Sequence, residues 1–301
     1  MLKVTWESHL KEFNQYLKVE RSLSDNTIEA YLRDVYKLIQ FLDMTNPTPL
    51  EKVKAKQISD LLLYLVQLGI SVRSQSRIIS GLKSFFEFWE EEGLVTINPM
   101  LKIESPTVGR NLPDTLDFHE IEKILDTIDL STPEGFRNRS MIETLYSSGL
   151  RVSELVQLKW SQINFQESFI KVIGKGNKER LVPIGTDARK YIQVYYSEIR
   201  STLSPKKGAE DIVYLNRRGG ILTRQMVFLI AKQSALDAGI LKNISPHTYR
   251  HSFATHLIEG GADLRIIQEL LGHESIITTE IYTHLDNDFL SQTISQYHPR
   301  A

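Results

Sequence analysis

From residue 24 to residue 42, apolar side chains return every three or four positions: Ile28, Tyr31, Leu32, Val35, Leu38, Ile39 and Leu42. That spacing lines one face of a helix. Ser24, Asp25 and Asn26 ahead of it are cap-forming residues, and Glu29 lies three residues beyond Asn26, the spacing of a capping box. Stretches 58–68 and 76–93 carry the same period, and Gly93 is a helix stop for the second. Four or five short helices packed together are predicted for the first hundred residues.

The period disappears in "NPMLKIESPTVGRNLPDTL" (98–116), which holds three prolines and a glycine. A domain boundary is predicted near residue 110: a helical domain over 1–107, a linker over 108–113 and a second domain over 114–301. The second domain is mostly helical apart from "SFIKVIGKGNKERLVPI" (168–184), two apolar-rich strands around a Gly-Lys-Gly-Asn turn. The predicted fold class is therefore mainly α, with two domains: an N-terminal helical bundle and a mostly helical domain with a small β-hairpin.

A later helix is marked at both ends. Ser245 and Pro246 open it, and the pair Gly260-Gly261 closes it. At 100° per residue, His247, Arg250, His251 and Ala254 fall in one sector, while Tyr249, Phe253 and Leu257 form an adjacent core face.

Composition narrows the class. An apolar fraction of 41% and a charged fraction of 24% belong to a globular chain. No apolar run is long enough for a bilayer, and the amphipathic start lacks a signal-peptide core, so a cytoplasmic protein without a membrane partner is expected. With no cysteines there is no disulfide framework, thiolate nucleophile or cysteine-based zinc site. The formal charge of −1 lacks the basic balance of many nucleic-acid binders. If the chain binds DNA, its 36 Lys and Arg must be concentrated on one face.

Several residues could carry chemistry, and each has a bland reading beside the functional one. His247 and Arg250 project together, as a solvated edge would also do. His247 and His251 stand four apart, with His256 nearby, a spacing that suits zinc. Arg250 would then sit beside the cation, and no HExxH glutamate is present. Arg151 is expected in a first helical turn, where the dipole gives a cation nothing. Either it pairs with Glu154 or it is aimed at an external anion. The glycines around Lys175 lead into a strand rather than a helix, which excludes a phosphate-binding Walker loop. A lysine at such a turn can instead reach into a groove as a point charge or proton donor. In "LGHESIITTEIYTH" (271–284), His273 and Tyr282 would be offset by half a turn on one continuous helix. Gly272 predicts a break between them. Alone, Tyr282 reads as a packed aromatic.

Taken in order, Arg151 in "GLRVSEL", Lys175 in "GKGNKERLVPI", His247 and Arg250 in "HTYRH", His273 in "LLGH" and Tyr282 in "IYTH" resemble the tyrosine recombinase family, in its bacterial Xer branch. The likeness extends to "LSDNTIEAYLRDV" and the terminal "HPRA". One departure is Tyr249, where the family more often has leucine. The resemblance implies a SAM-like core-binding domain and a catalytic domain that together clamp duplex DNA, with no arm-binding domain before residue 1.

The same resemblance implies attack by Tyr282 on a phosphodiester, leaving a 3′-phosphotyrosine and a free 5′-hydroxyl. Arg151 and Arg250 would bind the non-bridging oxygens, which makes a metal or other cofactor unnecessary. Lys175 would protonate the leaving oxygen, with Lys178 a substitute. His247 would assist proton transfer or bind the phosphate, His273 would orient it, and Glu154 would hold the first arginine's helix. The implied partners are a duplex recombination site, a homotetramer or a heterotetramer with a related recombinase, and a cell-division DNA translocase. The tail 286–301 is expected to serve subunit exchange. Resolution of chromosome dimers is the expected biology, beside plasmid resolution or mobile-element integration. A silent architectural DNA-binding partner would lack a reason to hold all six residues. A topoisomerase would share cleavage but join no ends between sites.

Overall fold

The computed structural model describes residues 2–107, 114–173, 179–272 and 287–300. The chain divides into two compact units, Met1–Asn111 and Leu112–Ala301.

The first unit is built from α1 (Leu2–Val19), α2 (Asp25–Thr45), α3 (Ala55–Gln67) and α4 (Val72–Glu91). The apolar stripe predicted along α2 is inside: Ile28, Val35, Leu38, Ile39 and Leu42 join Phe13, Leu17, Leu82 and Phe85 in one core. Its start differs from expectation. Ser24, not Asn26, is the cap, and its Oγ accepts from the Thr27 amide at 3.4 Å. Glu29 faces Arg33 at 4.0 Å instead of closing a capping box. One carboxylate is sealed within this unit. Asp34 accepts from Lys37 at 2.9 Å and from Arg77, tying α2 to α4. Its burial is tolerable because both partners carry the opposite charge.

The second unit begins with α5 (Phe118–Asp126), α6 (Pro133–Ser148) and the short α7 (Val152–Val156). Three antiparallel strands follow in sequence order: β1 (Ile163–Asn164), β2 (Phe169–Ile173) and β3 (Glu179–Pro183). Then come α8 (Thr186–Val194), α9 (Arg224–Asp237), α10 (Pro246–Gly260), α11 (Leu264–Leu271) and α12 (Asn287–Tyr297). The predicted hairpin is thus β2 and β3, with Ile170 opposite Val182 and Val172 opposite Arg180. The core gathers Leu145 and Tyr146 of α6, Ile170, Val182, and Tyr249, Phe253 and Leu257 of α10.

At Gly149 the chain turns left-handed (φ 57) to end α6. A Cβ there would stand 2.5 Å from Phe253 Cδ1, so only glycine lets the turn close against α10. That contact fixes where the next residues, Leu150 and Arg151, emerge.

The tail is docked on its own unit. Helix α12 packs on α10 and β3, with Leu290 and Ile294 in the core. Beyond it, the His298 ring lies 4.7 Å from Tyr146 and 5.1 Å from Phe253, centroid to centroid. Arg300 then reaches Glu143 of α6 and Asp187 of α8. No helix among the described residues is long and apolar enough to cross a membrane.

Candidate active site

Arg151 occupies the N-cap of α7, one residue earlier than the first-turn position expected of it. Its backbone N–H donates to Glu154 Oε2 at 2.7 Å and its Nη1 to Oε1 at 2.9 Å. The pairing with Glu154 is therefore real, yet it uses only part of the guanidinium. Nη2 extends the other way and donates to the carbonyl of Gly272 at 3.0 Å. The side chain keeps 35% of its surface exposed, so it remains open to an external anion as well.

Glu154 is shared with a second arginine. Arg180, on β3, donates from Nη1 and Nη2 to its two carboxylate oxygens, both at 2.9 Å. Arg180 Nε donates to the carbonyl of Leu270 at 3.1 Å. Burial pushes the Glu154 carboxyl up, but the hydrogen bonds and charges of Arg180 and Arg151 outweigh it and hold the group below its ordinary value.

Helix α10 starts at Pro246 behind Ser245, whose backbone N–H donates to Thr248 Oγ1 at 3.1 Å. Tyr249, Phe253 and Leu257 are its core face, as the sequence predicts. Burial raises the Tyr249 hydroxyl well above its usual range, consistent with a packing role. His247 and Arg250 share a sector but not a depth: His247 is exposed, whereas Arg250 is only 8% exposed. Arg250 Nη1 donates to the carbonyl of Gly149 at 2.6 Å, and Nη2 donates to that of Leu271. Burial, then repulsion from Arg151 and Arg180, pulls its guanidinium down to about 10, with Glu154 opposing, so it stays charged at neutral pH.

The three arginines thus converge on one element. Arg180, Arg250 and Arg151 donate in turn to Leu270, Leu271 and Gly272, the last carbonyls at the end of α11. The last carbonyls of a helix form its negative pole, so three cations there are a favourable cap. Gly272 is left-handed (φ 62) and ends α11, as the sequence predicts. His273 and Tyr282 follow it and lie outside the described residues, as do Lys175 and Lys178.

Arg180 was not found from sequence. A signal exists: its position opposite Val172 and two residues before Val182 puts a charge on the buried face of a strand. A charge so placed needs a partner. The suggested histidine triplet for zinc does not assemble. His256 is buried with Nδ1 2.7 Å from the Tyr146 hydroxyl, while His247 and His251 are exposed. Among the described residues no group of three His, Asp or Glu is arranged to hold a metal ion.

Comparison with known proteins gives the family of the chain and the fold it shares. Residues 114–288 match the phage integrase family, and residues 10–93 match the N-terminal SAM-like domain of phage integrases. The chain is 44% identical to the tyrosine recombinase XerD of Listeria monocytogenes serovar 1/2a, over 97% of this chain and 99% of that one. It is 43% identical to the tyrosine recombinase XerD of Oceanobacillus iheyensis, over 98% and 99% of the two chains. Among solved structures, the XerH site-specific recombinase in a post-cleavage complex with palindromic difH substrate superposes with a TM-score of 0.71 at 25% identity, over 95% of this chain and 84% of that one. A lambda integrase dimer bound to a COC′ core site shares the fold, with a TM-score of 0.70 at 21% identity over 89% and 95% of the chains.

Proposed function

This chain belongs to the phage integrase family of tyrosine recombinases and is an Xer-type site-specific recombinase, and from that premise we propose that Arg151, Lys175, His247, Arg250, His273 and Tyr282 form its catalytic set. The Tyr282 hydroxyl oxygen attacks the scissile phosphorus. The bond from phosphorus to the 5′-oxygen breaks, giving a 3′-phosphotyrosine and a 5′-hydroxyl that takes its proton from Lys175. Arg151 and Arg250 bind the non-bridging oxygens where negative charge gathers. His273 orients the phosphate, and His247 assists proton transfer by taking up the proton that the Tyr282 hydroxyl gives up as it attacks. The protein–DNA ester keeps the bond energy, so the 5′-hydroxyl of a second duplex reseals the strand without a nucleotide cofactor.

One observation carries this reading. Arg151 and Arg250 come from different helices yet grip adjoining carbonyls, Gly272 and Leu271, immediately ahead of His273. Two convergent guanidiniums beside an exposed histidine on α10 suit a single phosphate.

The same reading takes a duplex recombination site as substrate and a tetramer, of this chain alone or with a related recombinase, as the working assembly. Resolution of chromosome dimers in the cytoplasm is the proposed role, with a cell-division DNA translocase as a further partner. The domain limits that go with it are 1–107 for core binding, 108–113 for the linker and 114–301 for catalysis, the tail serving subunit exchange.

The test begins by selecting, from random-sequence duplexes, a site that the wild-type chain retains. A nicked duplex carrying that site should give an SDS-stable protein–DNA adduct in EDTA, and Tyr282→Phe should give none. An adduct that persists in Tyr282→Phe removes the nucleophile; no adduct with wild type removes the chemistry.

A further inference from the structure

We propose that Arg180 is a positioning residue for strand cleavage: through Glu154 it fixes the guanidinium of Arg151, and it ties the strand leaving the Lys175 turn to the helix end that precedes His273. The inference rests on the roles given above to Arg151, Lys175 and His273.

Arg180 lies five residues after Lys175, on the strand that leaves the turn, and Leu270 lies three before His273. A single planar side chain therefore joins β3 and α11, which adjoin Lys175 and His273 in sequence, to Glu154, which holds Arg151. Its Nη1 and Nη2 fork grips the Glu154 carboxylate at 2.9 Å on both oxygens, and its Nε holds Leu270 at 3.1 Å. Glu154 accepts two more bonds, from the backbone and Nη1 of Arg151. Its acceptor sites are then filled, and the carboxylate cannot swing.

The order of burial shows which partner holds which. Arg180 and Glu154 are 8% and 9% exposed, whereas Arg151 is 35% exposed. The inner pair is the fixed base, and Arg151 is the arm presented to solvent. Without Arg180, Glu154 would keep Arg151 alone, free to turn with it, and the Leu270 carbonyl would lose its donor. A lysine supplies the charge without the fork, so it cannot bridge both oxygens and the carbonyl at once. Misplacement of a phosphate-binding group by about 1 Å is enough to slow a reaction about 100-fold.

The experiment uses Arg180→Gln and Arg180→Lys in the full chain and the nicked duplex selected above. It measures single-turnover cleavage at saturating protein, duplex affinity, thermal unfolding, and the NMR signal of the Arg151 guanidinium. Arg180→Gln should cleave about 100-fold more slowly, with affinity within about three-fold of wild type. Arg180→Lys should recover only a minor part of that loss. The groups facing Glu154 are Arg151 from its own helix, Arg180 from β3 and Arg250 from α10. With Arg180 gone, Glu154 protonates at higher pH, so cleavage by Arg180→Gln should show an added acid limb, falling further in mild acid than wild type does. Adding Glu154→Gln should abolish that acid limb. The Arg151 signal should shift in Arg180→Gln.

Cleavage close to wild type, or cleavage, affinity and unfolding falling in proportion, overturns the proposal. If Arg180→Gln does not fold, Arg180→Lys decides by the same rates and the same signal. If wild type itself forms no adduct, the recombinase assignment fails separately. The Arg151 signal in the Arg180 variants then decides, a shift sustaining the clamp and an unchanged signal sinking it.

Discussion

Arg300 Nη2 stands 2.7 Å from Glu143 Oε1, a carboxylate with no exposed surface in α6, across 157 residues of sequence. The same guanidinium places Nη1 3.0 Å from Asp187, and Arg139 Nη2 approaches the same oxygen, Glu143 Oε1, at 3.1 Å. Burial raises the Glu143 carboxyl, and Arg300 and Arg139 pull it back. Deleting one member of a buried pair leaves a charge without enough partners, which costs more than the pair contributes. Arg300→Ala is expected to lower unfolding free energy by about 3 kcal/mol, toward the small end for such pairs because Arg139 remains. Urea unfolding measures it, and a loss below about 0.5 kcal/mol would mean that the tail's grip lies elsewhere.

The neighbouring histidine sets a pH dependence. Burial, with the charges of His256 and Arg300, pushes His298 down to about 3. The folded chain therefore keeps His298 neutral at pH values where the unfolded chain protonates it, around 6.5. Stability should be full above that value and fall as pH drops toward 3. His298→Phe keeps a ring between Tyr146 and Phe253 but removes the titrating group. Between pH 7.5 and 5, wild type should lose more unfolding free energy than His298→Phe, by up to about 1.4 kcal/mol for each pH unit below 6.5. Parallel curves for the two proteins would discharge His298 from this role.

The tail's docking has a steric gate. A Cβ on Gly185 would stand 2.2 Å from the backbone oxygen of Arg300. Backbone cannot yield as a flexible side chain does. Gly185→Ala should therefore displace the last residues, and carboxypeptidase should trim the variant about ten-fold faster than wild type. Equal trimming rates would show that the tail accommodates the methyl group.

At the two arginines proposed to bind the phosphate, the loss of either preorganised donor should cost about 100- to 1000-fold in cleavage. Arg151→Ala and Arg250→Ala should both retain most duplex binding. They should differ in stability, because Arg250 is buried between the carbonyls of Gly149 and Leu271 whereas Arg151 is a third exposed. Adduct formation and thermal unfolding, measured together, separate the two. Near-wild-type cleavage in either variant removes that arginine from the mechanism.

Periodicity made the helices, the hairpin and the glycine stop at Gly272 legible, because each is governed by neighbours a few residues away. The core face Tyr249, Phe253 and Leu257 was legible for the same reason. A helical wheel gives direction around an axis but not depth, which is why His247 and Arg250 share a sector and differ in burial. Glu29 met a capping spacing without filling it, since Ser24 starts the helix earlier. For Arg180 the local signature, a charge on the buried face of a strand, told that a partner was needed but not which one, and the contact of Arg300 with Glu143 left no local signature. Each depends on a partner brought from far along the chain: Glu154 and Leu270 for the first, α6 for the second.

The cap on α11 also resolves the puzzle of the chain's near-neutral total. Among the described residues Arg151, Arg180 and Arg250 face one carboxylate, Glu154, a local surplus of two positive charges inside a molecule whose sum is −1. Fields at a surface follow such concentrations, not the sum. Such a concentration can draw an anion that the net charge of the chain would not. An anion gains there only after it has been placed, which makes this concentration an instrument of selection rather than of general adhesion.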